Sequence, residues 1–199
     1  MKVQSSFWLA VAATLMISAC STSVERLDAQ EQIDLSGAWN DTDSQLVARE
    51  MIEDSLSRAW ISKFVQSEGK DPVVIVGSVK NLSHEHINTN TFIANMEREL
   101  INSGEVQFVA SAANRQEIRD ERADQDLNAS EATRKEAGQE YGADYMMQGQ
   151  INTIVDVDGT TQVRYYQVNL ELISLKDNRK VWVGEKKIKK LIKNSKLRL

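Results

Sequence analysis

The fold is decided by the run Val73-Val74-Ile75-Val76-Gly77-Ser78-Val79, which follows the chain's only proline, Pro72. Five of its seven residues are β-branched, and such residues pack well on a pleated sheet. Strands that are buried on both faces carry continuous apolar runs, whereas half-buried strands alternate apolar and polar residues. The run therefore predicts a strand buried on both faces.

The segment after this run predicts a β–α–β unit. A polar loop reaches Asn90 and leads to a helix over 91–103, in which Phe92, Met96 and Leu100 form an apolar stripe. Ser103-Gly104 ends this helix, because glycine is the residue that most often follows the last helical turn. A second short strand is predicted over 106–110, and the order strand, helix, strand implies a right-handed parallel crossover.

Further helices are predicted on both sides of this unit. Ile52, Leu56, Trp60 and Phe64 recur every four residues and predict one amphipathic helix over about 44–66. The polar residues 40–43 supply its N-terminal cap. Residues 114–142 are rich in charge and alanine, and they predict two helices with a break near 126–130 and an end at Gly142.

From Met147 onward the apolar period changes from helix to strand. Apolar and polar residues alternate over 147–155 and again over 165–172, and a third strand begins at Val181-Trp182-Val183. Asp158-Gly159 and Asp177-Asn178 occupy the two connections, so an antiparallel meander is expected. The chain is therefore predicted to be an α+β (mixed α/β) protein with a single mixed β-sheet and helices packed on it.

The N-terminus has the pattern of a bacterial lipoprotein signal. Its apolar run, Phe7 to Ile17, is about half the roughly 20 residues that a membrane-spanning helix needs. Ile17-Ser18-Ala19-Cys20 has the form of a lipobox, in which the cysteine thiolate receives the lipid. The alternative is an ordinary signal peptide with a chance cysteine. We expect a signal peptide at 1–19, a lipidated Cys20 with a short tether at 20–40, and one periplasmic domain at 41–199.

No catalytic or metal-binding constellation is expected. His84-Glu85-His86 contains both histidines of the chain, so no other histidine can complete a three-ligand metal site, and a solvated loop is expected there. Asp41-Thr42-Asp43 could begin a calcium loop, but Leu46 and Ile52 occupy the positions that need glycine and a carboxylate. Neither a nucleophile motif nor a phosphate-binding loop is present. We therefore expect no enzyme activity, metal or cofactor.

The C-terminal stretch is strongly basic. Residues 180–199 contain eight lysines and arginines and one acid, whereas the whole chain carries −5. Lysines guard exposed sheet edges against pairing, which gives 186–198 a structural interpretation. The functional interpretation is a docking surface for an acidic partner or an anionic wall polymer. Nucleic acid is not expected, because the compartment is periplasmic and no aromatic-basic platform accompanies the lysines.

The chain resembles the LpoB-type lipoprotein activators of bifunctional penicillin-binding proteins over about 70–199. Four blocks carry the resemblance: Val73–Asn81, Leu100–Gly104 running into Val106–Ser111, Gly142–Tyr145, and Val168–Ile173 followed by Val181–Gly184. The resemblance implies a fold like the N-terminal domain of TolB. It also implies a non-enzymatic lipoprotein of the outer membrane that faces the periplasm, carries acyl chains such as palmitate, and regulates cell-wall biogenesis and cell shape.

The partner implied by the resemblance is the docking domain of a bifunctional penicillin-binding protein, with peptidoglycan as a further candidate. The family's interface lies on surface residues rather than in a motif, so the partner-binding candidates are the polar loop and the lysine strand: Asn81, His84, His86, Lys186, Lys187, Lys189 and Lys190. This tether is shorter than that of well-known relatives and contains no proline. The alternatives are a curli-type secretion lipoprotein, which would need two long hairpins, and a structural lipoprotein that binds peptidoglycan itself.

Overall fold

The computed structural model describes residues 24–28, 31, 33, 35–133 and 140–193. The chain divides into two units, residues 1–32 and 33–199, and every helix and strand reported below belongs to the second. The described residues of the first unit carry no helix or strand. The predicted signal peptide at 1–19 and the predicted lipid-bearing Cys20 lie outside the described residues.

The second unit alternates helices and strands before it ends in long strands. Its described elements are α1 (Asp41–Leu56), α2 (Trp60–Glu68), β1 (Val73–Leu82), α3 (Thr89–Ser103), β2 (Gln107–Phe108), α4 (Ala112–Asn128), β3 (Tyr145–Asp158), β4 (Thr161–Ser174) and β5 (Lys180–Lys193). None of these helices combines the length and the apolar character needed to cross a membrane.

The strands form one mixed sheet in the order β2-β1-β3-β4-β5. β1 is parallel to β2 and β3, whereas β3, β4 and β5 form an antiparallel meander. The α+β class, the single mixed sheet and the meander are therefore confirmed. β2 is shorter than the predicted 106–110, because only Gln107 and Phe108 pair with β1 before the chain turns at Ser111 to begin α4.

The helix predicted over 44–66 is wrong in one respect, because it is two helices. Asn40 caps α1 as expected: its side-chain oxygen accepts from the Asp43 backbone N–H, and its own backbone N–H donates to the Asp43 carboxylate in a capping box. The break follows at Ser57–Ala59. In a continuing helix the Ser55 carbonyl would accept from Ala59, but here it accepts from the Arg58 N–H and from the Trp60 indole, 2.8 Å away. The chain turns there, and Trp60 enters the core.

The second predicted helix of the 114–142 segment is also corrected. α4 ends at Asn128, inside the predicted break, because Ala129 is extended (ψ 156°). Residues 131–133 form a turn and 140–143 have no regular structure, so Gly142 does not end a helix. Residues 134–139 lie outside the described residues.

α1 and α3 cover one face of the sheet. They pack against each other, with α1 also on β5 and α3 also on β1 and β2. The predicted stripe Phe92, Met96 and Leu100 is buried in this layer, and so are Val74 and Val76 of β1. Val73 and Ile75 are also buried but do not belong to this core cluster. The apolar runs of the sequence therefore form one core between the sheet and the two helices.

Two glycines allow the middle of the sheet to pack closely. Gly149 and Gly184 lie on either side of Leu170 in the strand register. A Cβ atom on Gly149 would collide with the Asn169 carbonyl and the Leu170 side chain, and one on Gly184 would collide with the Trp182 ring. Leu170 and Trp182 therefore fill the space that larger residues would take.

The residues just before α1 pack onto the domain. The ring of Trp39 meets Tyr166 and Phe92 edge-on, with centroid distances of 5.5 and 6.2 Å. Its indole N–H donates to Ser44 Oγ at 2.7 Å. Gly37, in the left-handed region at φ 66°, lies against Ile192. The last residues of the predicted tether therefore contribute to the core.

We expect Trp39→Ala to lower the free energy of unfolding by about 2–4 kcal/mol, because it removes a half-buried ring from an aromatic cluster. Urea unfolding followed by circular dichroism measures this. Leu35→Ala is the matched control, because Leu35 is exposed in the same segment; it should change stability by less than about 0.5 kcal/mol. Equal stability of the Trp39→Ala variant and the wild type would show that this segment is only a tether.

Candidate partner-binding surface

The loop between β1 and α3 is held by hydrogen bonds within itself and to β3. The Asn81 amide donates to the Glu85 carbonyl at 2.8 Å, and the Ser83 hydroxyl donates to Asn81 Oδ1 at 2.6 Å. The His84 backbone N–H donates to Thr153 Oγ1 at 3.2 Å, and the His84 ring nitrogen Nδ1 lies 3.1 Å from the same oxygen. His84 and His86 remain exposed. The loop therefore has a fixed shape and presents two histidines.

Glu85 is not solvated, and the expectation of a solvated loop is wrong for this residue. Its side chain is only 19% exposed. One carboxylate oxygen accepts from Arg164 at 2.8 Å and from the Tyr166 hydroxyl at 2.7 Å, and the other accepts from the Trp39 N–H at 3.0 Å. Burial, together with the hydrogen bond and charge of Glu85, raises the pKa of the Tyr166 hydroxyl. This Glu85 cluster joins the loop, β4 and the segment before α1.

The lysines of β5 are divided between the two faces of the sheet. Lys186 and Lys190 point toward α1, where Lys186 pairs with Glu50 and Lys190 pairs with Asp43 at 2.7 Å. The side chains of Lys190 and Asp43 are only 11% and 9% exposed. Lys187 and Lys189 point to the opposite face, and both are exposed. Alternation along the strand thus gives neighbouring lysines different surroundings.

The structure does not gather the seven partner-binding candidates into one surface. The loop residues Asn81, His84 and His86 lie near the end of β1, and Lys186 and Lys190 are engaged with α1. Lys187 and Lys189 lie on the face of β5 opposite α1. The binding role of all seven stays a prediction. Glu85 could not be identified as a structural residue from the sequence, because its partners are 46 to 81 residues away in the chain.

A groove of about 810 Å³ lies at the other end of the sheet, between α2 and the β4–β5 turn. Trp60, Phe64 and Tyr145 contribute aromatic rings to it, and the rings of Trp60 and Tyr145 are 5.1 Å apart. Its three acids are each paired with a base: Glu68 with Lys176, Asp144 with Lys70, and Asp177 with Arg179. The groove therefore has no arrangement of free carboxylates that could act as an acid–base pair.

The described residues contain no group of three or more His, Cys, Asp or Glu side chains that could hold a metal ion. His84 and His86 are accompanied by Glu85, but that carboxylate is occupied by Arg164, Tyr166 and Trp39.

One family model and several solved structures match the chain. The family model described as "Peptidoglycan-synthase activator LpoB" matches residues 43–188. No curated protein sequence matches the chain. Similar solved structures include lipoprotein GNA1162 from Neisseria meningitidis, with 16% identity, coverage of 62% of this chain and 86% of that chain, and a TM-score of 0.42. The C-terminal domain of LpoB from Escherichia coli has 16% identity, coverage of 73% and 98%, and a TM-score of 0.41.

The division of the β5 lysines can be tested with two neighbouring substitutions. Lys190→Met removes one partner of a buried ion pair and leaves Asp43 in a dry site, so we expect unfolding to become easier by about 1–3 kcal/mol. Lys189→Met, one residue earlier on the exposed face, should change stability by less than about 0.5 kcal/mol. Thermal and urea unfolding measure both. Equal losses from the two variants would contradict the assignment of faces.

Proposed function

The chain belongs to the LpoB family of peptidoglycan-synthase activators, and from this membership we propose that it is an outer-membrane lipoprotein that binds and activates a bifunctional penicillin-binding protein. The observation that carries the proposal is the extent of the family match. It begins at Asp43, in the first turn of α1, and ends at Ile188, well inside β5. The match thus includes every strand of the sheet in whole or in part.

Activation of this kind needs no chemistry from the activator. A protein that binds the active conformation of a synthase better than the inactive one shifts the population toward the active form. The shift cannot exceed the difference between the two binding free energies, and about 1.4 kcal/mol of difference corresponds to a tenfold shift. A rigid, preformed surface suits this task, because little binding energy is lost in ordering it. The Glu85 cluster and the ion pairs of α1 supply that rigidity.

In this proposal the anchor limits how far the domain can travel. With the lipid on Cys20, the 16 residues from 21 to 36 separate the anchor from Gly37, which lies against Ile192, and they set the greatest length of the tether. Such a tether extends by no more than about 55 Å. The domain would therefore stay near the outer membrane, and the synthase would have to reach it with a domain that projects far from the inner membrane.

The activator role predicts a rise in glycan polymerisation. Full-length protein in detergent is added to the purified bifunctional synthase of the same organism together with its lipid-linked precursor. Allosteric coupling energies of 1–3 kcal/mol correspond to an increase of about fivefold or more at saturation. The protein without the synthase should form no glycan, and heat-unfolded protein added to the synthase should not raise the rate of polymerisation. No change in the polymerisation or cross-linking rate of any bifunctional synthase in the cell would contradict the role.

The anchor is tested separately. Cys20→Ser should abolish incorporation of radiolabelled palmitate and move the protein out of the outer-membrane fraction, because no other cysteine exists to take a lipid. Ser21→Thr is the control, since it leaves the cysteine in place; it should remain labelled and sediment with the outer membrane. Persistent labelling of the Cys20→Ser variant would exclude Cys20 as the attachment site.

A further inference from the structure

One face of the meander is uncovered in the described part of the chain. Along β5 the residues that face α1 are buried or half-buried, whereas the alternate residues are all exposed: Val183, Glu185, Lys187, Lys189, Leu191 and Lys193. The strands are also long, at 14 residues each, and the final residues of β3, from Ile154 to Asp158, are exposed without exception. The far end of the meander therefore presents a broad sheet surface to solvent.

Apolar side chains are concentrated at this far end of the open face. The strand register places Ile154 of β3 beside Tyr165 of β4. Two residues earlier in β4, Val163 lies beside Leu191 of β5. Side chains in adjacent and diagonal positions of this kind touch across strands. Ile154 is 65% exposed and Leu191 is 62% exposed, although both are large aliphatic residues. Exposed apolar residues that adjoin one another mark interaction sites more often than isolated ones do.

Charge borders this apolar cluster with a different sign on each side. On the β5 side lie Lys187, Lys189 and Lys193, and on the β3 side lie Asp156 and Asp158. Lys187 pairs with Glu185 at 2.5 Å, while Lys189 has no ion-pair partner among the described residues. The lysines of this strand that serve the fold, Lys186 and Lys190, point the other way. Lys189 and Lys193, which are exposed and have no ion-pair partner among the described residues, therefore remain available to an external anion.

We propose that this surface, the open face formed by Ile154, Val163, Tyr165, Leu191 and the bordering Lys187 and Lys189, is where the synthase docks. The inference rests on the proposed function and names the contact surface for it. The apolar residues of the open face require an apolar centre in the contact region of the synthase. Charge complementarity with the lysines requires that this region carry carboxylates on the side that meets β5. An apolar centre inside a charged rim is the usual anatomy of a protein–protein interface.

The test measures the affinity of full-length protein in detergent for the purified bifunctional synthase. Ile154→Ser and Leu191→Ser should each weaken binding about tenfold, because they remove the apolar centre. Lys189→Glu should slow association and reduce its dependence on salt. This charge reversal also guards against misfolding as the cause, since Lys189 is exposed and unpaired among the described residues.

Each variant has a matched control elsewhere on the surface. Ile101→Ser on α3 controls for Ile154→Ser, because Ile101 is 53% exposed. Leu127→Ser on α4 controls for Leu191→Ser, and Lys63→Glu on α2 controls for Lys189→Glu; all three residues are exposed. The controls should bind within about twofold of the wild type. Circular dichroism and thermal unfolding establish that all six variants are folded.

The outcomes separate the surface from the function. Weak binding by the three open-face variants with normal controls supports the proposal. If the wild type binds and the open-face variants bind equally well, the surface is wrong and the proposed function stands. If the wild type does not bind the synthase, both fail. If Leu191→Ser changes only the self-association of the protein, measured by sedimentation, the open face belongs to a second copy and the proposal is overturned.

Discussion

The Glu85 carboxylate joins three segments that lie far apart in the chain, and the packing of these segments against one another depends on it. It accepts hydrogen bonds from Arg164 and Tyr166 of β4 and from the Trp39 N–H before α1. A charged group that is mostly buried must be satisfied on all sides, or its desolvation would cost several kcal/mol. The positions of the loop, β4 and the segment before α1 are thus set together.

A second constraint is that successive side chains of β5 point to opposite faces of the sheet. Trp182, Lys186 and Lys190 share one face and meet Asp54, Glu50 and Asp43 of α1 in turn. The hydrogen bond from Trp182, followed by the one from Arg58, lowers the pKa of the Asp54 carboxyl, so Asp54 contributes stability above its unfolded pKa that is lost as the pH falls through the folded value. The alternate residues take no part in this contact. One face of β5 thereby serves the fold, and the other face is left for the proposed partner.

Much of the fold could be predicted from the sequence, because apolar periodicity is a local signal. The Val73–Val76 run and the stripe Phe92, Met96 and Leu100 have the burial that their pattern predicts. The alternating meander strands do too, except at the far end of β3, where Val155 is 38% exposed. The break after Leu56 could not be predicted, since it depends on a Trp60 indole bonding to the Ser55 carbonyl. The role of Glu85 was also hidden, because its partners are distant in the chain. The division of the lysines between the two faces of β5 could have been predicted from the sequence. Lys186 and Lys190 are each separated from the apolar Trp182 by an even number of positions, and such side chains share one face of a strand.

The central claim is that a bifunctional synthase contacts this chain through a preformed surface. Site-specific photo-crosslinking in growing cells tests it most directly, with the reactive group placed at position 191 on the open face and at position 127 on α4. The expected result is a crosslinked species from position 191 that contains a bifunctional penicillin-binding protein, and no such species from position 127. Capture of only export components, other outer-membrane proteins or a second copy from position 191 would contradict the claim.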